Sequence, residues 1–282
     1  PSDELSSYRP ISNLNFLSKT FERVIHSRLS DHLQKFSSLS PFQSAYRKFH
    51  STETALLRIQ NDLLLATNKQ KLSALVLLDL SAAFDTIDHN ILLNRLSRTF
   101  GITGSALSLL SSYLTNRFQS VSINSNLSNP SPLVTGVPQG SVLGPLLFSL
   151  YTTPLSCLLK NSPVSFHLYA DDTQLYISFS SSDSDCNLAI LSSTLDFVSV
   201  WLTANRLSVN PSKTEYLLVG TSQQRAKLIS SSLVFQGNFL SPSSTVQNLG
   251  VSLDPDLSYH HHISKICSTS FYHIRHLRQI RS

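Results

Sequence analysis

The chain contains no methionine, only three cysteines and one tryptophan, and charged residues make up just 14% of it. Without methionine it holds no start codon of its own, so it reads as a segment of a longer open reading frame. Cys157, Cys186 and Cys267 lie far apart with no C-x-x-C pair. That spacing suggests neither a disulfide framework nor a zinc ribbon and fits reduced thiols in an intracellular protein. Soluble domains usually carry roughly 25% charged residues; here serine fills much of the gap, giving a polar but weakly charged surface. No signal peptide is visible. Between Arg117 and Lys160 there is no formal charge, and residues 142–159 are long enough to span a bilayer. Pro145, Pro154 and several hydroxyl residues in that run favour a buried core helix, so no membrane partner is expected.

What is present is a chain of 282 residues, 41% hydrophobic, able to bury a substantial core. The formal charge is +5 and unevenly placed. Arg9, Lys19, Arg23, Arg28, Lys35, Arg47, Lys48 and Arg58 crowd the first sixty residues, and Lys265, Arg275, Arg278 and Arg281 close the chain with no acid among them. Basic ends around an acidic centre suit a polyanion such as nucleic acid. In a strand the triplet His260-His261-His262 would alternate faces and in a loop it would lack fixed geometry, which argues against a structural zinc.

Hydrophobic spacing predicts a helix over 14–36 through Leu17, Phe21, Val24, Ile25, Leu29 and Leu33, capped by Asn13 or Asn15. Ser51 or Thr52 caps a second helix running to about Ala66. Residues 72–80 read as a strand buried on both faces, and 90–98 and 104–116 as helices. Residues 118–123 and 131–135 suggest a strand pair. A helix is expected over 142–159, entered at Pro138 and broken by Pro154. Short strands at 166–169 and 173–179 flank a tight turn, a helical stripe follows from Leu188 to Leu202, strands are expected at 215–219 and 245–253, and a last amphipathic helix over 263–280. The order suggests an α+β domain in which helices pack on a sheet. No internal repeat is visible.

Two stretches carry the chemistry: Leu78-Asp79-Leu80-Ser81-Ala82-Ala83-Phe84-Asp85, and Tyr169-Ala170-Asp171-Asp172. Each sets carboxylate at the end of an apolar run, where an unpaired acid costs several kcal/mol. A divalent ion is the economical compensation. If the two strands are adjacent, Asp79, Asp171 and Asp172 converge and two ions about 3.5–4 Å apart can bridge them. Turn chemistry is the alternative for adjacent aspartates in a hairpin. Asp85 and Asp88 read as a cap and a helix-start charge.

These stretches and five others resemble, in order, the reverse transcriptase domain of LINE-type, non-LTR retrotransposons. The first runs on through Thr86-Ile87-Asp88-His89, and the others are Tyr8-Arg9-Pro10-Ile11-Ser12, Phe42-Gln43-Ser44-Ala45-Tyr46-Arg47 with His50-Ser51-Thr52, Gly136-Val137-Pro138-Gln139-Gly140-Ser141-Val142-Leu143-Gly144-Pro145, Asn210-Pro211-Ser212-Lys213-Thr214 and Leu249-Gly250-Val251. The resemblance implies a right-hand polymerase fold whose palm is an antiparallel sheet backed by helices. Fingers would occupy 1–60 and 90–132, palm 61–89 and 133–254, and the start of an incomplete thumb 255–282. It implies an RNA-directed DNA polymerase that extends a DNA primer on an RNA template with deoxynucleotides and two Mg2+ ions, for which Mn2+ substitutes. Asp79, Leu80, Asp171 and Asp172 fall at the metal positions, Asp171 being the surer ligand of the pair. Arg9, Arg47, Leu80, Phe84, Gln139 and Gly140 fall at substrate positions, with Phe84 as the steric gate against a 2′-hydroxyl. Lys213 falls near the leaving pyrophosphate, as general acid or counter-charge, and Leu249-Gly250-Val251 at the primer grip. In relatives an endonuclease lies upstream, and the nucleus is the compartment at integration.

Two other readings stay open. One is a catalytically silent fragment derived from such an element that at most binds nucleic acid. The other is a different metal-dependent phosphotransferase with no need for a primer-template.

Overall fold

The computed structural model describes residues 11–123, 126–228 and 231–281. In chain order the elements are α1 (Phe16–Lys35), α2 (Thr52–Asn68), β1 (Leu72–Leu78), β2 (Leu80–Ser81), α3 (His89–Arg98) and α4 (Gly104–Leu114). A ribbon follows as β3 (Arg117–Gln119), β4 (Ser122–Ile123), β5 (Asn126–Leu127) and β6 (Ser131–Leu133), then α5 (Gly144–Leu159), β7 (Ser165–Tyr169), β8 (Asp172–Phe179), α6 (Ser184–Ala204), β9 (Ser208–Val209) and β10 (Glu215–Val219). The chain closes with α7 (Ser222–Arg225), β11 (Leu233–Phe235), β12 (Asn238–Leu240), β13 (Val246–Asn248), β14 (Val251–Leu253) and α8 (His260–Ile280).

These residues form two compact units. The first holds the described residues up to Lys48 with Leu80–Asn161 and Val198–Val209; the second holds Phe49–Asp79, Ser162–Phe197 and the described residues from Asn210. In the second unit, four antiparallel strands lie in the order β10-β1-β8-β7. All seven residues of β1 are buried, as a strand covered on both faces requires. Leu75, Leu77, Tyr176, Leu217 and Val219 share one face of the sheet, and Ile59 and Leu63 of α2 pack on it with Val246 and Leu253 of the β13–β14 hairpin. Ser51 starts α2 with a reciprocal capping box to Thr54.

In the first unit α5 is the core helix, with Leu146, Leu147, Phe148, Leu150 and Tyr151 buried. Arg95 of α3 lies over the rings of Tyr151 and Trp201, its CZ 4.6 and 5.4 Å from their centroids. It donates to Tyr151 O and Asn205 Oδ1, and burial lowers its pKa.

Several expectations need correction. Leu17, Phe21 and Val24 of α1 are exposed at 52–76%, while Glu22 is buried with Leu29 and Leu33. The inward face of α1 is thus turned away from its first apolar positions. Pro154 does not break α5, which starts at Gly144 with Pro145 in its first turn and runs through to Leu159. Hydroxyls of Thr152 and Thr153 donate to the carbonyls of Phe148 and Ser149, binding up the turn that the proline disturbs. The stretch expected as one strand at 245–253 is a hairpin, because Leu249 and Gly250 both take positive φ and reverse the chain. The strand pair at 118–135 is a ribbon in two short ladders, β3 with β6 and β4 with β5. His260-His261-His262, read as strand or loop, opens a helix.

His167 on β7 is buried, and burial first, then the charges of Arg58 and His50, hold its pKa down at about 4 against an ordinary 6.5. Between those pH values the unfolded chain binds more protons than the folded one. Stability is therefore complete above about pH 6.5 and falls by about 3 kcal/mol as the pH drops to 4. Urea titrations across that range check this: the slope of His167→Gln is expected to be flatter than that of the wild-type chain by this amount.

Candidate active site

The acids are placed by strand pairing. Tyr169 pairs with Asp172 across a loop of two residues, Ala170 and Asp171. A hairpin this tight needs positive φ in its loop to match the twist of the strands. Ala170 supplies it at φ 56°, a conformation that costs a residue with a side chain about 1–2 kcal/mol. Such strain survives where the surroundings over-determine the backbone, commonly at functional sites. β8 then pairs with β1 through Leu78↔Thr173. One step further the same register sets Asp79 across from Asp172, on the face that carries Leu77 and Gln174. The strand ends at Leu78, so Asp79 lies just past it, half-buried, with its carbonyl accepting from Asn210 N–H at 2.8 Å.

Asn210 also shapes the next loop. Its Oδ1 accepts from Ser212 N–H and Oγ, which turns Pro211–Lys213 back toward the sheet. Lys213 Nζ consequently stands 3.5 Å from Asp79 Oδ2. Asp79, Asp172, Lys213, Glu215, Asn248 and Leu249 are among the residues lining one open cavity of about 370 Å³. Of the two adjacent acids it is Asp172 that lines this cavity; Asp171 occupies the loop.

The donor set is of hard carboxylate oxygens, which suits magnesium. Among the described residues no three or more acidic, histidine or cysteine side chains close into a metal cage. Magnesium is commonly held by one or two carboxylates together with a substrate's phosphate oxygens, and Asp79 with Asp172 fit that mode.

The remaining candidates lie in the first unit. Phe84 is half-buried and stacks on Phe148, centroids 4.7 Å apart. The loop 135–139 lies against the segment 84–89: Val137 N–H donates to Phe84 O and Gly136 N–H to Ile87 O, both at 2.8 Å, and His89 Nε2 meets Gly136 O at 2.8 Å. A side chain on Gly136 would stand 2.8 Å from Asp85 O, so only glycine permits this approach. Gln139 Nε2 donates to Asp85 Oδ2 at 2.8 Å, and Gly140 beside it is exposed at φ 90°. Asp88, read from the sequence as a helix-start charge, is the cap of α3, accepting from Ile91 N–H. Asp85 is not a cap; it holds the side chain of Gln139. Leu80 opens β2, buried and paired with Val209. Arg47 donates through Nη1 to Ser40 O and Gln43 O, which shapes its own loop, and burial lowers its pKa. Arg9 lies outside the described residues.

Sequence reasoning missed Glu22. Its Oε2 accepts from Val142 N–H at 2.7 Å and Leu143 N–H at 3.0 Å, so an acid on α1 satisfies the two residues that lead into α5 after the Gly-Val-Pro-Gln-Gly loop. Its only sequence signal is an acid in register with Leu29 and Leu33.

The family profile described as "Reverse transcriptase (RNA-dependent DNA polymerase)" matches residues 1–253. The probable RNA-directed DNA polymerase from transposon BS of Drosophila melanogaster is 31% identical over 99% of this chain and 31% of its own length. The RNA-directed DNA polymerase from mobile element jockey of the same species is 29% identical over 93% of this chain and 28% of its own. The chain thus spans about a third of the length of these curated relatives. Apo telomerase from Candida tropicalis, truncated from its C-terminal domain, superposes with a TM-score of 0.56 at 14% identity, covering 88% of this chain and 48% of that one. The same enzyme with a fragment of telomeric RNA gives 0.55 at 14%, covering 83% and 36%. At such identity the likeness concerns the fold, which is the right-hand polymerase fold.

Replacing Glu22 by Ala leaves one buried and one part-buried N–H group unpaired and is expected to lower stability by about 2–3 kcal/mol, with Glu22→Gln costing less because an oxygen remains to accept. Denaturant titration of the two variants checks this.

Proposed function

The chain belongs to the reverse transcriptase (RNA-dependent DNA polymerase) family, and we propose that it is the catalytic part of an RNA-directed DNA polymerase from a LINE-type, non-LTR retrotransposon. The reaction is transfer of a deoxynucleotide to a primer 3′-hydroxyl on an RNA template. The observation that carries the reading is that Asp79, Asp172 and Lys213 line one open cavity, with Lys213 3.5 Å from Asp79.

Asp79, Asp171 and Asp172 would hold the divalent metal on which this family depends, and the metal would supply charge neutralisation at the phosphates and a more acidic primer hydroxyl. Lys213 would meet the negative charge that develops on pyrophosphate as the bond to the α-phosphorus breaks. Phe84 is held by Phe148 and would leave no room for a 2′-hydroxyl beneath the incoming sugar. Gln139 and Gly140 would face the nucleotide, with Asp85 fixing the carboxamide. Fingers at 1–60 and 90–132, palm at 61–89 and 133–254 and the start of a thumb at 255–282 remain the proposed division. RNA template, DNA primer and deoxynucleotides are the proposed partners, with an endonuclease in the full-length protein and a nuclear site of integration.

Magnesium-dependent incorporation of labelled deoxynucleotide on a primed RNA template tests the assignment. Asp79→Asn and Asp172→Asn are each expected to lower the rate by at least 100-fold, and Lys213→Ala by about 100-fold. Undiminished incorporation by Asp79→Asn would remove the site. Phe84→Val is expected to raise ribonucleotide incorporation about 10-fold or more while deoxynucleotide use persists. No incorporation even by the full-length protein would favour the silent fragment.

A further inference from the structure

Two buried carboxamides in the second unit are left unexplained by this chemistry. Gln174 is 1% exposed and Asn248 2%, and Gln174 Nε2 donates to Asn248 Oδ1 at 3.0 Å. Among the described residues neither Gln174 Oε1 nor Asn248 Nδ2 has a hydrogen-bond partner. Turning both amides over keeps the bond between them, with donor and acceptor exchanged. Each unpaired group costs about 1–3 kcal/mol, whereas an apolar pair of similar shape carries no such cost. Stability alone is therefore a poor reason for carboxamides at these two positions.

Their place in the sheet supplies a better one. Gln174 lies two residues along β8 from Asp172, on the same face. The register sets Gln174, Leu77 and Glu215 in one row across β8, β1 and β10, next to the row of Asp172 and Asp79. Both polar members of that row grip the β13–β14 hairpin at consecutive residues. Gln174 holds the Asn248 side chain, and Glu215 Oε2 accepts from Gln247 N–H at 2.9 Å. The next two residues are the turn, Leu249 at φ 47° and Gly250 at φ 86°. Positive φ at a leucine marks a turn whose conformation is imposed by its surroundings. Leu249 lines the same cavity as Asp79, Asp172 and Lys213.

We propose that Gln174 and Asn248 are positioning residues, a clasp that fixes the Leu249-Gly250 turn relative to the two acids and so seats the terminal nucleotide of the primer. The clasp rests on the polymerase reading for its substrate, but its effect on the hairpin does not. Glu215 sets the hairpin's backbone; the carboxamide pair sets how far the turn stands from β8.

The test compares the wild-type chain with Gln174→Leu/Asn248→Leu, which removes the pair, and Gln174→Asn/Asn248→Gln, which swaps it. Thermal unfolding, amide hydrogen exchange at residues 247–250, and steady-state extension with primer and deoxynucleotide varied separately are measured. The leucine pair is expected to unfold no earlier than wild type, to exchange at least 10-fold faster at the turn, and to raise the KM for primer at least 10-fold without moving that for deoxynucleotide. The swapped pair is expected to recover both. Wild-type exchange and primer KM in the leucine pair overturn the proposal, as does a loss of kcat alone that follows the folded fraction. Should the leucine pair not fold, Asn248→Ala carries the same readouts. If even the full-length protein incorporates nothing, the polymerase reading falls, and the exchange comparison alone decides whether the clasp holds the turn.

Discussion

β1 is hydrogen-bonded to β8 on one side and β10 on the other, with all seven of its residues buried, and this leaves it no freedom of register. A slip of one residue against β8 would carry Leu75 and Leu77 away from α2 and the β13–β14 hairpin and turn Ala74 and Val76 toward them. The same slip would separate Asp79 from Asp172. Core packing and the pairing of the acids are thus one constraint, and the carboxylates are placed by hydrophobic side chains that take no part in the chemistry.

A comparable economy appears in the first unit. The loop 135–139 has little side-chain bulk of its own and is held by backbone hydrogen bonds to 84–87 and by His89. Gly136 permits the close approach, Asp85 orients Gln139, and Glu22 ties down the helix start that follows. Phe84 and Gln139 sit at the same end of this contact, since Val137 N–H bonds the carbonyl of Phe84 and the Gln139 side chain bonds Asp85 next to it. A change in either segment is therefore felt in the other.

Much of this was legible from residue order. The strand over 72–78 is a continuous apolar run, the caps at Asn15, Ser51 and Asp88 are residue types whose side chains accept from the third N–H beyond, and the hairpin at Ala170-Asp171 lies between two apolar runs. The failures share a cause. Leu17, Phe21 and Val24 have helical spacing, yet the inward face of α1 is decided by what Glu22 meets on α5. Pro154 is a helix breaker by local rule, overridden by burial and by neighbouring hydroxyls. Asp85 reads as a cap because its partner, Gln139, lies 54 positions away.

The sequence by itself determined the motifs: three aspartates at the ends of apolar runs, a glycine-bounded Val-Pro-Gln loop, and an order of segments that identifies the family. These are properties of residue type and local spacing, which a chain carries before it folds. Tertiary structure decided which acid faces which, that Asp172 rather than Asp171 lines the cavity with Asp79, and that Lys213, Gln174, Glu215 and Asn248 gather around them. Those relations join residues 32 to 134 positions apart, and only strand register and the docking of a hairpin bring such distant groups within hydrogen-bond or ion-pair reach.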